Sequence, residues 1–411
     1  MDGPLITNDA IVFGLLAAVL GAIFYTKSRG GWWDKFYTFI PIILLAYLIP
    51  SLMNSFGLIS SKESNLWQIA KDYFLPAALV LMTLSIDMKG IMGLGSKALI
   101  MFFTATIGII LGGPIAMLIV GSFSPETVGG EGADAIWRGL ATLAGSWIGG
   151  GANQTAMLEV YGYNQEKYAA MVAVDIVVAN IWMAFLLYGA GNSEKVDRWL
   201  GADSSAIERL KNKMADYTSS VERTASAADL VMLTAIAFGG VAVSHLVAAV
   251  AVPFFEAQGF GESILAAEFF WIVVTATTVG LGLSFTGARG YEGAGASKIG
   301  TVFIFLLVAI IGTKMDIFML ADQPLLFLVG FIWMTFHSIL LIAVAKIIKA
   351  PFFFVAVGSK ANVGGAASAP VVAAAFHPAL APVGVLLAVL GYALGTYGAI
   401  ICAQMMAAVA G

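Results

Sequence analysis

The chain has 411 residues, of which 60% are hydrophobic and only 11% are charged, and its formal net charge is −4. Soluble domains carry about a quarter charged residues, so this composition excludes an ordinary soluble protein and indicates an integral membrane protein. The single cysteine, Cys402, excludes a disulfide framework and a thiolate metal site. Because the sequence also has no basic patch and no zinc spacing, we expect no nucleic-acid partner.

Apolar runs separated by short charged turns recur along the whole chain, which is typical of transmembrane helices embedded in a lipid bilayer. The first run lacks the basic start and the cleavage site of a signal peptide, so we interpret it as the first span. Ten runs are predicted to cross the membrane: 6–25, 37–57, 73–88, 98–120, 168–190, 230–252, 264–285, 299–313, 324–345 and 383–408.

Two further segments, 135–161 and 352–377, are each split near the middle by a glycine-rich polar stretch. If both dip into the membrane and return as re-entrant hairpins, and if both termini are external, most Lys and Arg residues fall on the cytoplasmic side. A crossing first segment would instead place the basic loop 191–226 outside. The charge pattern therefore favours hairpins, and it predicts an amphipathic cytoplasmic linker, 191–227, between the halves 1–190 and 228–411.

The two halves contain similar motifs in the same order. "TLSIDMKGIM" aligns with "GTKMDIFMLA", which pairs Asp87 with Asp316, and "GGANQTA" aligns with "GGAASAP". "DIVVANIW" aligns with "GYALGTYG", which pairs Asn180 with Thr396. Each half holds five predicted spans, an odd number, so the second half is expected to be inverted. Inverted-topology repeats with interrupted helices are typical of secondary transporters.

The hairpin motifs "GGGANQTA" and "GGAASAP" resemble those of the glutamate–sodium and citrate–sodium symporters, within the wider superfamily of sodium–proton antiporters and bile-acid symporters. "GSWIGGGANQTAMLEVYG", "VAVDIVVANIW" and "SKANVGGAASAP" resemble the YjcL-like family of bacterial membrane proteins over nearly the whole chain. The resemblance implies an elevator-type carrier of the bacterial inner membrane, often a homodimer, whose mobile domain holds both hairpins. It implies no substrate. The second hairpin has few amide side chains beyond Asn362. This sequence therefore departs from the expectation that both hairpin tips bind substrate equally.

Several residues are candidates for binding a coupling ion. Asp175 lies well inside a predicted span, where a carboxylate is costly unless it is paired, protonated or bound to a cation. We predict that Asp175 binds the ion, with Na+ as the candidate metal, and that Asn180 flanks the same cavity. Thr396, Asp87 and Asp316 are further candidates through the repeat, although Asp87 and Asp316 end helices at opposite faces, where a carboxylate is often only solvated.

Polar residues at the hairpin tips are candidates for binding a solute. Amide and hydroxyl groups can donate to a carboxylate or coordinate sodium through their oxygens. The candidates are Asn153, Gln154 and Thr155 in the first hairpin and Ser359, Asn362 and Ser368 in the second. Lys360 could neutralise an anionic solute, or it could simply face the cytoplasm as a positive-inside residue.

These features favour a secondary active transporter, because no nucleotide-binding motif is present to drive primary transport. We expect sodium-coupled symport of a small organic anion or an amino-acid or peptide-like solute, with Na+ or H+ as coupling ion and no other cofactor. A cation–proton antiporter is the first alternative, because Asp175 alone would suffice for it, and a passive channel is the second. We expect no enzyme activity, since Asp87 and Asp316 lack the Gly-x-Gly-Asp context of an aspartyl dyad.

Overall fold

The computed structural model describes residues 5–40, 42–59, 64–202, 207, 210, 224–261, 264–314, 324–377 and 380–410. Within these ranges the regular structure is helical, apart from an isolated bridge between Ile6 and Ile59. In the described part of the chain, six helices are long and apolar enough to cross a membrane, and seven if a pair bent by 97° at 285–286 forms one span. The chain is therefore an all-helical, multi-pass membrane protein.

The first half of the described chain contains three apolar helical runs, a fourth long helix, a broken helix and a fifth long helix. The third run is continuous from Leu66 to Leu84 through a π-turn at Ala70–Phe74. The helices are α1 Asp9–Ser28, α2 Trp32–Phe39, α3 Ile42–Ser55, α4 Leu66–Ile69, α5 Leu75–Leu84, α6 Met88–Met92, α7 Ser96–Gly121, α8 Pro125–Val128, α9 Ile136–Tyr161, α10 Tyr168–Gly191 and α11 Ser193–Leu200.

The second half repeats this order of long helices, with the broken helix again between the fourth and the fifth. Its helices are α12 Ala227–Ala257, α13 Glu268–Ser284, α14 Ala296–Gly312, α15 Leu325–Ile348, α16 Phe352–Asn362, α17 Gly365–Phe376 and α18 Ala381–Ala410. Short 3-10 turns lie at Gly132–Asp134, Ile264–Ala266 and Gly287–Ala294.

Six of the ten predicted spans coincide with helices of spanning length, and the other four coincide with shorter ones. The predicted span 37–57 is divided between α2 and α3, and 73–88 ends at Leu84 because Asp87 caps the next helix. The spans 264–285 and 299–313 correspond to α13 and α14, each of 17 residues. The number ten therefore stays a prediction.

The helices pack into two groups, and each group draws on both halves of the chain. We call α1, α3, α5, α12, α13 and α14 the six-helix bundle, and α7, α9, α10 and α15–α18 the hairpin bundle. Contacts are dense inside each bundle and sparse between them, where α5 and α13 meet α9 and α18. Buried apolar side chains fill both bundles.

Part of the predicted linker lies in the described chain. Its first section forms α11, whose Leu200 is buried, and Leu210 is buried as well. Ser226 and Asp229 then form a reciprocal capping box that begins α12. The rest of the amphipathic pattern, and the predicted ion-coupling residue Asp316, lie outside the described residues.

Candidate functional site

The first broken helix, α9, folds back on itself at Gly150, whose φ of 75° interrupts the helical backbone. Glycine adopts this left-handed conformation without the clash that a Cβ would cause. Its two arms lie side by side, since a Cβ on Gly145 would come within 2.5 Å of the Asn153 carbonyl oxygen. The ends also meet, with the rings of Trp137 and Tyr161 5.3 Å apart. The predicted segment 135–161 is therefore a pair of adjacent arms.

The second broken helix consists of α16 and α17, joined by Val363 and Gly364. Gly364 has a φ of 111°, again a conformation that favours glycine. The far ends of the two arms meet where the Phe353 and Phe376 rings lie 5.3 Å apart. This pair of arms thus has the same shape as the first.

The tips of the two broken helices meet at one aromatic ring of α18. A Cβ on Gly150 would lie 3.7 Å from Cε1 of Tyr392, and a Cβ on Gly365 would lie 3.8 Å from the same atom. Tyr392 is itself buried. The two breaks therefore converge inside the protein, where freed backbone groups are shielded from lipid.

Asp175 lies on α10 beside the first arm of α9. Its carboxylate accepts hydrogen bonds from the Ser146 hydroxyl at 2.7 Å and from the Trp147 indole N–H at 2.6 Å. Gln154 and Lys360 lie within electrostatic range of the same carboxylate. Two neutral donors from one arm therefore hold an acidic group that faces both broken helices.

Lys360 comes to the same region from the second broken helix. Its side chain is only 2% exposed, and its ammonium donates to the Ala179 carbonyl, one turn beyond Asp175, at 3.1 Å. The structure thus places Lys360 inside the protein beside the acidic group, so the positive-inside interpretation of a solvent-facing Lys360 is not the arrangement observed.

Several polar atoms near Asp175 are buried without a hydrogen-bond partner in the described chain. They are the Gln154 amide nitrogen and the hydroxyls of Tyr47 and Tyr168. The Tyr47 hydroxyl lies close to those of Tyr168 and Thr155, and both tyrosines are within electrostatic range of Asp175. Buried polar groups are nearly always paired, so unpaired ones mark a place for a ligand, an ion or water.

Asn153 and Thr396 attach the first broken helix to α18. The Asn153 amide donates to the Gly149 carbonyl at 3.0 Å and to the Tyr392 carbonyl at 2.9 Å. Its oxygen accepts from the Thr396 hydroxyl at 2.6 Å. The Thr396 hydroxyl also lies 3.0 Å from that of Thr277 in the six-helix bundle.

Asn362 makes the same set of contacts from the second broken helix to α7. Its amide donates to the Gly358 carbonyl at 3.0 Å and to the Phe102 carbonyl at 3.3 Å, and its oxygen accepts from the Thr106 hydroxyl at 2.8 Å. In both cases the asparagine amide nitrogen donates to the carbonyl four residues earlier in the chain and to a carbonyl of a facing helix. The amide oxygen accepts from a threonine hydroxyl on that facing helix. We call these two arrangements the Asn–Thr clamps.

Ser359 belongs to a buried chain of hydrogen bonds. His337 Nδ1 donates to the Ala105 carbonyl at 3.1 Å, and in the neutral ring Nε2, 2.8 Å from the Ser359 hydroxyl, accepts from it. The Trp182 indole donates to the same hydroxyl at 2.8 Å. Ser368, by contrast, has a buried hydroxyl with no partner in the described chain, near Gly364 and Lys360.

The remaining predicted residues lie apart from this network. Asn180 donates to the Ile176 carbonyl of its own helix at 2.8 Å. Asp87 caps α6 by accepting from the Gly90 N–H at 2.9 Å, and it forms an ion pair with Arg289. Among the described residues, no hydrogen bond or ion pair joins Asp87 to the Asp175 region.

Some residues of the site were not predicted from the sequence. Ser146 and Trp147 stand in the same glycine-rich motif as the predicted tip residues, which is a usable signal. Tyr47, Tyr168 and Thr106 give no local signal, because each looks like an ordinary residue of an apolar helix and becomes part of the site only through packing between distant segments.

Comparisons with known proteins agree with a membrane protein. A family model described as "Protein of unknown function (DUF819)" matches residues 14–409. The chain is also similar to the uncharacterized membrane protein YjcL of Bacillus subtilis (strain 168), with 25% identity over 363 residues, which are 82% of this chain and 82% of that protein.

Proposed function

Because this chain belongs to the DUF819 family, whose description assigns no activity, we propose a function from the chemistry of the site: ion-coupled secondary active transport of a small organic anion or an amino-acid or peptide-like solute. The observation that carries this proposal is that two broken helices meet at Tyr392 and that both also approach the half-buried Asp175, the first through Ser146 and Trp147 and the second through Lys360. Broken helices that meet inside a membrane protein supply free backbone groups and helix ends for a solute and an ion.

The ion site would consist of one carboxylate with neutral oxygen groups around it. Among the described residues no group of three His, Cys, Asp or Glu side chains lies close together. A single carboxylate with hydroxyl and amide neighbours suits a monovalent cation, so Na+ is the first candidate. Lys360 and the unpaired Ser368 hydroxyl at the second tip would then face the anionic group of the solute.

The division into two bundles supports an elevator mechanism within the wider antiporter and symporter superfamily. In this proposal the six-helix bundle is the scaffold, and the hairpin bundle, clamped together by Asn153 and Asn362, moves as one body. Both broken helices would be re-entrant hairpins in two inverted repeats of a homodimeric inner-membrane protein with external termini.

Lys360 favours a second candidate function, cation–proton antiport. A buried lysine within electrostatic range of Asp175 could neutralise the charge of its carboxylate when the cation leaves. In that case Asp175 would exchange protons for cations, and no organic solute would be needed.

The test is the thermal stability of the purified protein across sodium, lithium, potassium and pH, repeated with Asp175→Asn. An ion that binds the native state raises its apparent stability by mass action, by about 2.7 kcal/mol at a hundredfold excess over Kd. We expect a sodium-specific increase that Asp175→Asn abolishes. The control is Asp87→Asn, which should keep the sodium effect.

Other outcomes separate the candidates. A stability change with pH but not with sodium, lost in Asp175→Asn, would replace symport by antiport or proton coupling. No dependence on any cation or on pH would contradict an ion site at Asp175.

A further inference from the structure

A line of polar side chains leads from Asp175 to one end of the molecule along the boundary between the bundles. Tyr168 lies two helical turns before Asp175 on α10, and Tyr47 of α3 contacts it across the boundary, with ring centroids 6.2 Å apart. Thr155, on the second arm of α9, is next to the Tyr47 hydroxyl. Glu159 follows Thr155 by one turn on the same arm.

Glu159 ends this line with an ion pair between the two bundles. Lys71 of the π-turn lies 3.1 Å from Glu159, whose side chain is 8% exposed, while the lysine side chain is 27% exposed. The Gln165 amide donates to the other carboxylate oxygen at 2.9 Å. Lys314 is also within electrostatic range of Glu159.

Backbone packing also brings Tyr47 close to Lys314, the second lysine near Glu159. A Cβ on Gly312 would lie 2.5 Å from the Tyr47 carbonyl oxygen, and Lys314 follows Gly312 by two residues. The tip of α9 packs here as well, since a Cβ on Gly151 would lie 3.5 Å from Ile43 and 3.7 Å from Ile304. The segments that carry these side chains therefore lie along one boundary.

Unpaired polar atoms along this line, or next to it, are suited to bind water. Tyr47, Tyr168 and Gln154 each present a buried polar atom with no partner in the described chain. Such atoms are the partners that ordered water requires, because an internal water makes two to four hydrogen bonds to polar groups. Hydroxyls both donate and accept, so each can hydrogen-bond to a water molecule or to the water shell of a cation that reaches it.

We propose that this line, Glu159–Thr155–Tyr47–Tyr168, is a hydrated route by which the coupling cation reaches Asp175, and that the Lys71–Glu159 ion pair is its gate. The route rests on the proposed function in that it requires an ion site at Asp175. Because the ion pair joins the two bundles, sliding of the hairpin bundle would break it and open the route.

The test uses cysteine accessibility, for which the single native Cys402 is convenient. Cys402 is buried, so Cys402→Ala provides the background. In reconstituted vesicles, Thr155→Cys is treated with a membrane-impermeant methanethiosulfonate from each side. Glu166→Cys and Lys89→Cys, both at exposed positions, mark the two faces that the predicted topology places on opposite sides of the membrane.

We expect Thr155→Cys to react from the Glu166 face at least about tenfold faster than Thr142→Cys, because thiol reactivity follows exposure to water. Thr142 is the matched control, a fully buried threonine on the first arm of the same broken helix whose hydroxyl is bonded to the Gly139 carbonyl at 2.7 Å. Adding Lys71→Met and Glu159→Gln should accelerate the reaction of Thr155→Cys further, because the gate is removed.

Equal rates at Thr155→Cys and Thr142→Cys, or reaction of Thr155→Cys from the Lys89 face, would overturn the route. Tyr47→Cys gives a second position on the same line if Thr155→Cys folds poorly. The failure of the route is distinguishable from the failure of the proposed function, since the sodium effect on stability and its loss in Asp175→Asn are measured without labelling.

Discussion

At the level of single residues, Asn153 shows that a side chain predicted to bind a ligand can instead form hydrogen bonds within the protein. The sequence predicts that Asn153 binds solute, but in the structure its amide already bonds two backbone carbonyls and a hydroxyl. It is also completely buried. In this conformation Asn153 therefore joins helices, and Gln154, with its unpaired amide nitrogen, is the better placed of the two to contact a ligand.

This packing role predicts a large loss of stability in Asn153→Ala. The substitution removes three hydrogen bonds of a fully buried amide, to the Gly149 and Tyr392 carbonyls and to the Thr396 hydroxyl, which should lower the free energy of unfolding by about 2 to 4 kcal/mol. Asn192→Ala is the control, since Asn192 makes the same bond to the carbonyl four residues earlier, at 3.0 Å, at an exposed site. Its effect should stay within about 0.5 kcal/mol. Thermal unfolding in detergent measures both, and equal effects would contradict the clamp.

Asp175 and its neighbours show what a sequence reveals about single residues and what it does not. A carboxylate in an apolar run is a strong local signal, and in the structure Asp175 accepts hydrogen bonds from Ser146 and Trp147. The partners themselves depend on which helices pack together. Tyr47 and Tyr168 are far apart in the chain and meet only because α3 and α10 lie across the boundary between the bundles.

At the level of helices, the sequence is most informative where glycine and proline interrupt an apolar pattern. The predicted segments 135–161 and 352–377 correspond to α9 and to α16–α17 almost residue for residue, because the breaks need backbone conformations that favour glycine. Helix lengths were harder to predict. The π-turn before α5 and the bend after α13 lie inside or beside apolar runs, where hydropathy does not register them.

Close packing of the first broken helix predicts opposite effects for two neighbouring glycines. In Gly149→Ala the new Cβ would lie 2.2 Å from the Asn153 amide nitrogen and 2.7 Å from the Gly395 Cα, so we expect a loss of about 1 to 3 kcal/mol. In Gly151→Ala the nearest atoms are 3.5 Å away, and the greater helix propensity of alanine should stabilise slightly. Thermal unfolding distinguishes them, and a milder effect for Gly149→Ala than for Gly151→Ala would contradict the packing described.

For the whole molecule, the decisive feature is that each bundle combines elements from both halves of the chain. The sequence predicted the order of elements, since similar motifs recur in the same order. It could not predict the grouping, because hydropathy marks which residues avoid water but not which helix is their neighbour. The boundary between the bundles, where Thr277 meets Thr396 and Lys71 meets Glu159, is visible only in the folded chain.

The elevator proposal predicts that a covalent link across this boundary stops the motion. The Thr277 and Thr396 hydroxyl oxygens are 3.0 Å apart, so we expect a disulfide to form in Thr277→Cys/Thr396→Cys on the Cys402→Ala background. Oxidation should abolish any sodium-dependent change in hydrogen–deuterium exchange across α18, and a reductant should restore it. Each single variant, oxidised in the same way, is the control. A change that persists in the cross-linked protein would argue against relative movement of the bundles.

Because Trp147 donates a hydrogen bond to Asp175, tryptophan fluorescence should respond to ion binding at this carboxylate. The emission of an indole depends on the electric field and on the hydrogen bond at its N–H, and here that N–H is bound to the carboxylate that would receive the ion. Trp333 lies with its ring 5.0 Å from that of Trp147, so excitation of either indole can pass to the other. Ion binding at Asp175 should thus change the intrinsic fluorescence, so that it can be measured without a label and without knowledge of any solute.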